Sequence, residues 1–94
     1  MNVKIAGSYQ KDFEILIAQD PDLGKIIDVA VDRFIHNPDD TRLDVHPLHG
    51  RLERKYALSV NNDIRIVFEY IGNHHVRFLA IGPHERVYPG YKKK

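Results

Sequence analysis

Tyr56-Ala57-Leu58-Ser59-Val60-Asn61-Asn62-Asp63-Ile64-Arg65-Ile66-Val67-Phe68-Glu69-Tyr70 is the stretch whose reading decides the fold. Tyr56, Leu58 and Val60 alternate with Ala57 and Ser59, the two-residue period of a strand with one buried face. Asn61-Asn62-Asp63 then supplies residues that favour turns and tolerate left-handed backbone geometry. Alternation resumes with Ile64, Ile66, Phe68 and Tyr70 on one face and Arg65, Val67 and Glu69 on the other, so the stretch predicts a β-hairpin. After the turn signal Gly72-Asn73-His74-His75, a third run from about Val76 to Ile81 completes a meander.

Upstream, the period changes to that of helices. Val3 to Ala6 reads as a short strand closed by Gly7-Ser8, with Ser8 as the expected N-cap of a helix. Tyr9, Phe13, Leu16 and Ile17 form its apolar stripe, running to about Gln19. Asp20-Pro21 ends that helix and starts another, a cap followed by proline at the first helical position. Leu23, Ile26, Ile27, Ala30, Val31, Phe34 and Ile35 keep helical spacing, and Asn37-Pro38-Asp39-Asp40 breaks it. The expected class is α+β: an N-terminal strand and two helices packed on a mainly antiparallel sheet that the C-terminal three-stranded meander completes. Helices on one face would leave the face that carries Arg65 open to a ligand.

With 94 residues, 43% of them hydrophobic and 29% charged, the chain is expected to fold as one domain over residues 1–94. No apolar run approaches the ~18 residues of a membrane span, and Met1-Asn2-Val3-Lys4 lacks the apolar stretch of a signal peptide, so a cytoplasmic protein without a membrane role is expected. The absence of cysteine excludes disulfides, thiolate nucleophiles and Cys-based zinc sites. The net charge of +1 conceals a division. Residues 1–50 carry five basic groups against nine acidic ones, and residues 51–94 carry nine against four. A basic second half is the surface on which a polyanion would bind.

Three segments combine ionisable residues with loops or strand ends: His46-Pro47-Leu48-His49-Gly50, Asn61 to Arg65, and Gly82-Pro83-His84-Glu85-Arg86-Val87-Tyr88. In an antiparallel meander the end of the last strand lies beside the start of the 64–70 strand, so Asp63, Arg65 and His84 are expected to share one end of the sheet. Histidine, aspartate and arginine together suit metal-free RNA cleavage: a base removes the 2′-hydroxyl proton, an acid protonates the leaving oxygen, and a guanidinium stabilises the phosphorane. His46 and His49 are three apart, but Pro47 prevents their helical presentation as metal ligands. No metal and no cofactor is expected.

Phe34 with Asn37-Pro38, Arg42-Leu43, the His46 to Gly50 loop, the Asp63-Ile64-Arg65-Ile66-Val67-Phe68 strand and Gly82-Pro83-His84 through Val87-Tyr88 together resemble the RelE/ParE toxin superfamily, in particular its YafQ-like branch. The likeness covers nearly the whole chain. It implies the toxin of a type II toxin–antitoxin system: a ribosome-dependent endoribonuclease that cuts mRNA in the A site, meets DNA only through its antitoxin, and is inhibited by an amphipathic antitoxin helix packed on its exposed surface. Carried onto this sequence, the resemblance makes His46 a proton-transfer residue, Asp63 a base or orienting group, His84 the general acid, Arg65 the stabiliser of transition-state charge, and Tyr88 a stacking platform or proton donor. His49, Arg51, Arg54, Lys55, Arg86 and Lys92 would form an RNA-binding rim, while His36, His74 and His75 would stand apart. Ser59 occupies a position at which the family carries a histidine or another basic residue, and Ile64 one at which the branch carries an aromatic. Two other functions are compatible with the same fold: a ParE-like toxin that inhibits DNA gyrase without catalysis, and a catalytically decayed antitoxin-binding domain.

Overall fold

The computed structural model describes residues 1–49 and 54–87, except the side chains of Glu85 and Arg86. Strand β1 (Asn2–Ile5) leads into helices α1 (Gly7–Gln19) and α2 (Leu23–His36). A 3-10 turn (Thr41–Leu43) precedes β2 (His46–Pro47), β3 (Tyr56–Ser59), β4 (Ile64–Gly72), β5 (His75–Pro83) and the four-residue helix α3 (His84–Val87). The five strands form one mixed sheet in the order β1-β5-β4-β3-β2. The predicted meander is β3, β4 and β5, paired antiparallel. Two features add to the expectation: β1 joins β5 in parallel, and the two-residue β2 extends the far edge beside β3. The helical pair therefore carries the chain from one sheet edge to the other.

One face of the sheet packs against the helices. Leu58, Ile64, Ile66, Phe68, Val76, Phe78 and Ile81 meet Tyr9 and Leu16 of α1 and Ile27, Ala30 and Phe34 of α2. Phe34 is the hub, with its ring centroid 5.0 Å from that of Phe68 and 6.0 Å from that of Phe78. The expected stripe of α2 holds, except that Ile26 remains 42% exposed. The opposite face carries a smaller cluster in which Leu48 and Val87 pack with Ala57 and Val67.

Three local expectations are corrected. Ser8 does not cap α1; Ala6 occupies that position, and the Ser8 hydroxyl donates to the carbonyl oxygen of Leu79 at 2.6 Å. The reason lies in the sheet: β1 pairs with β5 only as far as Phe78, leaving the next part of that edge without a strand. Ser8 and Asp12, one helical turn apart, occupy it, Asp12 by accepting the Ile81 N–H at 3.3 Å. Likewise α2 begins at Leu23, with Asp22 at its N-cap; Asp20 and Pro21 form the turn before it, in which the Asp20 carbonyl accepts the Leu23 N–H. Finally, the 61–63 turn needs no left-handed residue. The Asn61 Oδ1 accepts the N–H groups of Asp63 (2.9 Å) and Ile64 (2.7 Å), and positive φ occurs instead at Asp44, Arg54 and His74 among the described non-glycine residues.

Burial, with Asp28 nearby, pushes the Tyr9 hydroxyl from its ordinary 10.0 up to about 12. A raised folded-state value means that its stabilising contribution is complete below pH 10 and is lost as pH rises from 10 to 12, where the unfolded chain ionises first. Tyr9→Phe is therefore expected to remove up to about 3 kcal/mol of the stability loss over that interval. Urea denaturation of both proteins at a series of alkaline pH values measures it; parallel stability profiles would contradict it.

Candidate active site at one end of the sheet

The β3–β4–β5 register places Ser59 opposite Arg65, Arg65 opposite Gly82, and Ile64 opposite Pro83. The His84 N–H, following directly, donates to the Asp63 carbonyl oxygen at 3.0 Å. Asp63, Arg65 and His84 therefore share one end of the sheet, as the meander predicts. His84 is half-buried, with its Nε2 shielded from solvent, whereas Asp63 is exposed. Arg65 lies on the face away from the helices, because its neighbours Ile64 and Ile66 point into the helix-covered core.

Arg65 is also part of the scaffold. Its Nη1 donates to the carbonyl oxygens of Asn61 (2.6 Å) and Ile64 (3.1 Å), tying the guanidinium to the same turn that Asn61 organises. The remaining guanidinium donors keep the capacity to meet an anion. No Arg65–Glu69 pair forms. The half-buried Glu69 carboxylate lies 3.8 Å from the Lys55 ammonium and 3.3 Å from Arg77 Nη1.

His46 reaches the face of Arg65 from the other edge; that face is not left open as expected, because Leu48 and Val87 cover Ala57 and Val67 on it. On β2 it pairs with Ala57, which pairs with Val67, which pairs with Ala80, so His46 stands two strands and about 10 Å from β4, one row along from Arg65. Its Nδ1 lies 2.7 Å from the Asp44 carbonyl oxygen, with the Asp44 carboxylate at 3.9 Å. A carbonyl can only accept, so this bond places a proton on Nδ1 and leaves Nε2 of the neutral ring as the basic nitrogen. The left-handed Asp44, with φ of 46°, turns that carbonyl toward the ring.

The expected rim is partly resolved. His49 and Arg54 are exposed, and Lys55 is engaged with Glu69. Arg51, Tyr88 and Lys92 lie outside the described residues, as does the side chain of Arg86. His74 and His75 are exposed at the opposite end of β5 from His84, and His36 is held against Asp32 on α2. Among the described residues no group of three or more His, Cys, Asp and Glu side chains could hold a metal ion, and no helix is long and apolar enough to cross a membrane. Sequence reasoning missed Asn61 as the organiser of the site; its signal was an asparagine two residues before Asp63, the spacing at which an Asn side chain accepts a backbone N–H.

No protein-family model matches the chain, and no curated protein does. Solved structures do. YafQ from Escherichia coli superimposes with a TM-score of 0.77 at 17% identity, covering 93% of this chain and 97% of YafQ. The YoeB/ParE toxin from Agrobacterium tumefaciens gives 0.73 at 16% identity, over 89% and 99% of the two chains. A chain of the DinJ–YafQ complex of E. coli gives 0.75 at 17% identity, over 93% and 97%. With an N-terminal strand, two helices and a five-stranded mixed sheet that superimpose on these toxins nearly end to end, the chain has the fold of YafQ and of the YoeB/ParE toxin.

Proposed function

We propose that this protein is the toxin of a type II toxin–antitoxin module and that it cleaves mRNA in the ribosomal A site. The observation that carries the proposal is the grouping of Asp63, Arg65 and His84 at one end of the sheet, with the basic nitrogen of His46 two strands across from Arg65. In the reaction His46, or Asp63 in its place, takes the 2′-hydroxyl proton; the freed oxygen attacks the adjacent phosphorus, and the bond to the 5′-oxygen breaks. His84 gives its proton to that leaving oxygen, so the products are a 2′,3′-cyclic phosphate and a 5′-hydroxyl. Arg65 offers its uncommitted donors to the charge of the phosphorane. Tyr88 stacks on a base, and His49, Arg51, Arg54, Lys55, Arg86 and Lys92 hold the RNA backbone. No metal is required. An antitoxin partner is supported by the DinJ–YafQ complex among the similar structures.

Expression of the protein alone is expected to arrest growth, and the purified protein is expected to cut mRNA on ribosomes programmed with a defined A-site codon. Intact mRNA and normal growth would refute the enzymatic reading. Intact mRNA with inhibited DNA supercoiling would replace it with the gyrase-directed one.

A further inference from the structure

We infer that Asp44 is a positioning residue whose left-handed backbone, and not its carboxylate, fixes the tautomer and the orientation of the His46 ring. The inference rests on the proposed function for what the ring then does, since the proton taken by Nε2 is the 2′-hydroxyl proton of that reaction.

The chain is pinned on both sides of Asp44. Upstream, Asp40 caps the 3-10 turn: its Oδ1 accepts the Arg42 N–H at 2.9 Å, and its carboxylate receives Nε (3.0 Å) and Nη2 (2.7 Å) of the Arg42 guanidinium. Leu43, the last residue of that turn, is buried in the helix-side core, and Val45, just past Asp44, packs against the same cluster. Downstream, His46 pairs with Ala57 and Pro47 with Tyr56, and a residue that precedes proline is held to extended geometry. Between these anchors the chain turns at a single residue. Asp44 has φ of 46° and ψ of 47°, and its N–H closes the 3-10 turn on the Thr41 carbonyl at 3.2 Å.

That conformation has a chemical consequence two residues on. In an extended chain a carbonyl lies in the plane of the sheet while the side chains stand perpendicular to it, so a carbonyl does not meet the side chain of the second residue after it. The left-handed turn at Asp44 brings its carbonyl oxygen to 2.7 Å from His46 Nδ1 instead. The carboxylate makes no such contact. Its Oδ2 lies 3.9 Å from Nδ1, beyond hydrogen-bond reach, and the side chain is 66% exposed. Aspartate, asparagine and glycine adopt left-handed geometry most readily, and a β-branched residue resists it. The identity of residue 44 therefore matters to His46 through φ, and its charge does not.

The test reads the ring directly in the free protein. Nitrogen-15 spectra of the histidine side chains, recorded at alkaline pH where the ring is neutral, distinguish protonated Nδ1 from protonated Nε2. The His46 signals, assigned by their loss in His46→Gln, are expected to show a single Nδ1–H tautomer in wild type, Asp44→Asn and Asp44→Gly, and a mixture of tautomers in Asp44→Val. On programmed ribosomes Asp44→Val is expected to lower kcat about 10²-fold with KM unchanged, the cost of a misplaced reacting group, while Asp44→Asn and Asp44→Gly hold it within about threefold of wild type. Should Asp44→Val fail to fold, Asp44→Ala opposes the same geometry more mildly and is expected to show the same mixture. A wild-type ring protonated at Nε2 overturns the inference. So does an Asp44→Gly or Asp44→Asn protein with mixed tautomers or a 10²-fold loss of kcat, which would assign the effect to the carboxylate. Wild type that cuts no mRNA refutes the toxin reading alone, and the spectra still decide the role of Asp44.

Discussion

His84→Ala is expected to lower mRNA cleavage on programmed ribosomes by about 10²–10⁴-fold, the range for loss of a general acid, with little change in melting temperature. The fold should tolerate the change because the bond that locates this residue, to the Asp63 carbonyl at 3.0 Å, comes from its backbone N–H. The same bond makes Asp63 an informative comparison. Asp63→Asn keeps the carbonyl that receives His84, so its stability should match wild type, and a loss of rate would report on the carboxylate alone. Arg65→Ala should behave differently from both. Its Nη1 holds the carbonyls of Asn61 and Ile64, so its removal should lower the rate and loosen the turn together. A His84→Ala protein that cleaves at the wild-type rate would remove this residue from the chemistry and shift the acid role elsewhere.

The hairpin at 56–70 and the apolar stripes of both helices were legible because each obeys one period over enough residues to be unambiguous. The convergence of Asp63, Arg65 and His84 followed from antiparallel pairing alone, with no side-chain geometry needed. Three features escaped for physical reasons. Strand β2 is two residues long and contains Pro47, too short for any period to register. The parallel β1–β5 contact is set by tertiary crossover, which local pattern cannot encode. Ser8 was misassigned because a serine after glycine reads as a cap, whereas here a strand edge left uncovered competes for its hydroxyl and wins. The tie between Arg65 and its own turn escaped likewise: sequence marks an arginine as available for substrate or a carboxylate, and backbone carbonyls carry no signature of their own.

Phe34→Ala is expected to destabilise the protein by about 3–5 kcal/mol, the range for emptying a buried phenylalanine site. Phe34 is 0% exposed and its ring touches both Phe68 and Phe78, so it joins α2 to the two longest strands. Those strands are rigid neighbours in one ladder, which limits how far the vacated space can close. A 94-residue chain commands about 5–14 kcal/mol in all, so this one substitution consumes a large share and should lower the urea midpoint sharply. Val29→Ala on the same helix is the control. Val29 is 51% exposed, and its truncation should change stability by no more than about 0.5 kcal/mol, since the methyl groups it loses were already in water. Equal costs at the two positions would mean that α2 does not present Phe34 to the sheet, and with it would fall the packing that leaves Arg65 facing outward on the opposite side.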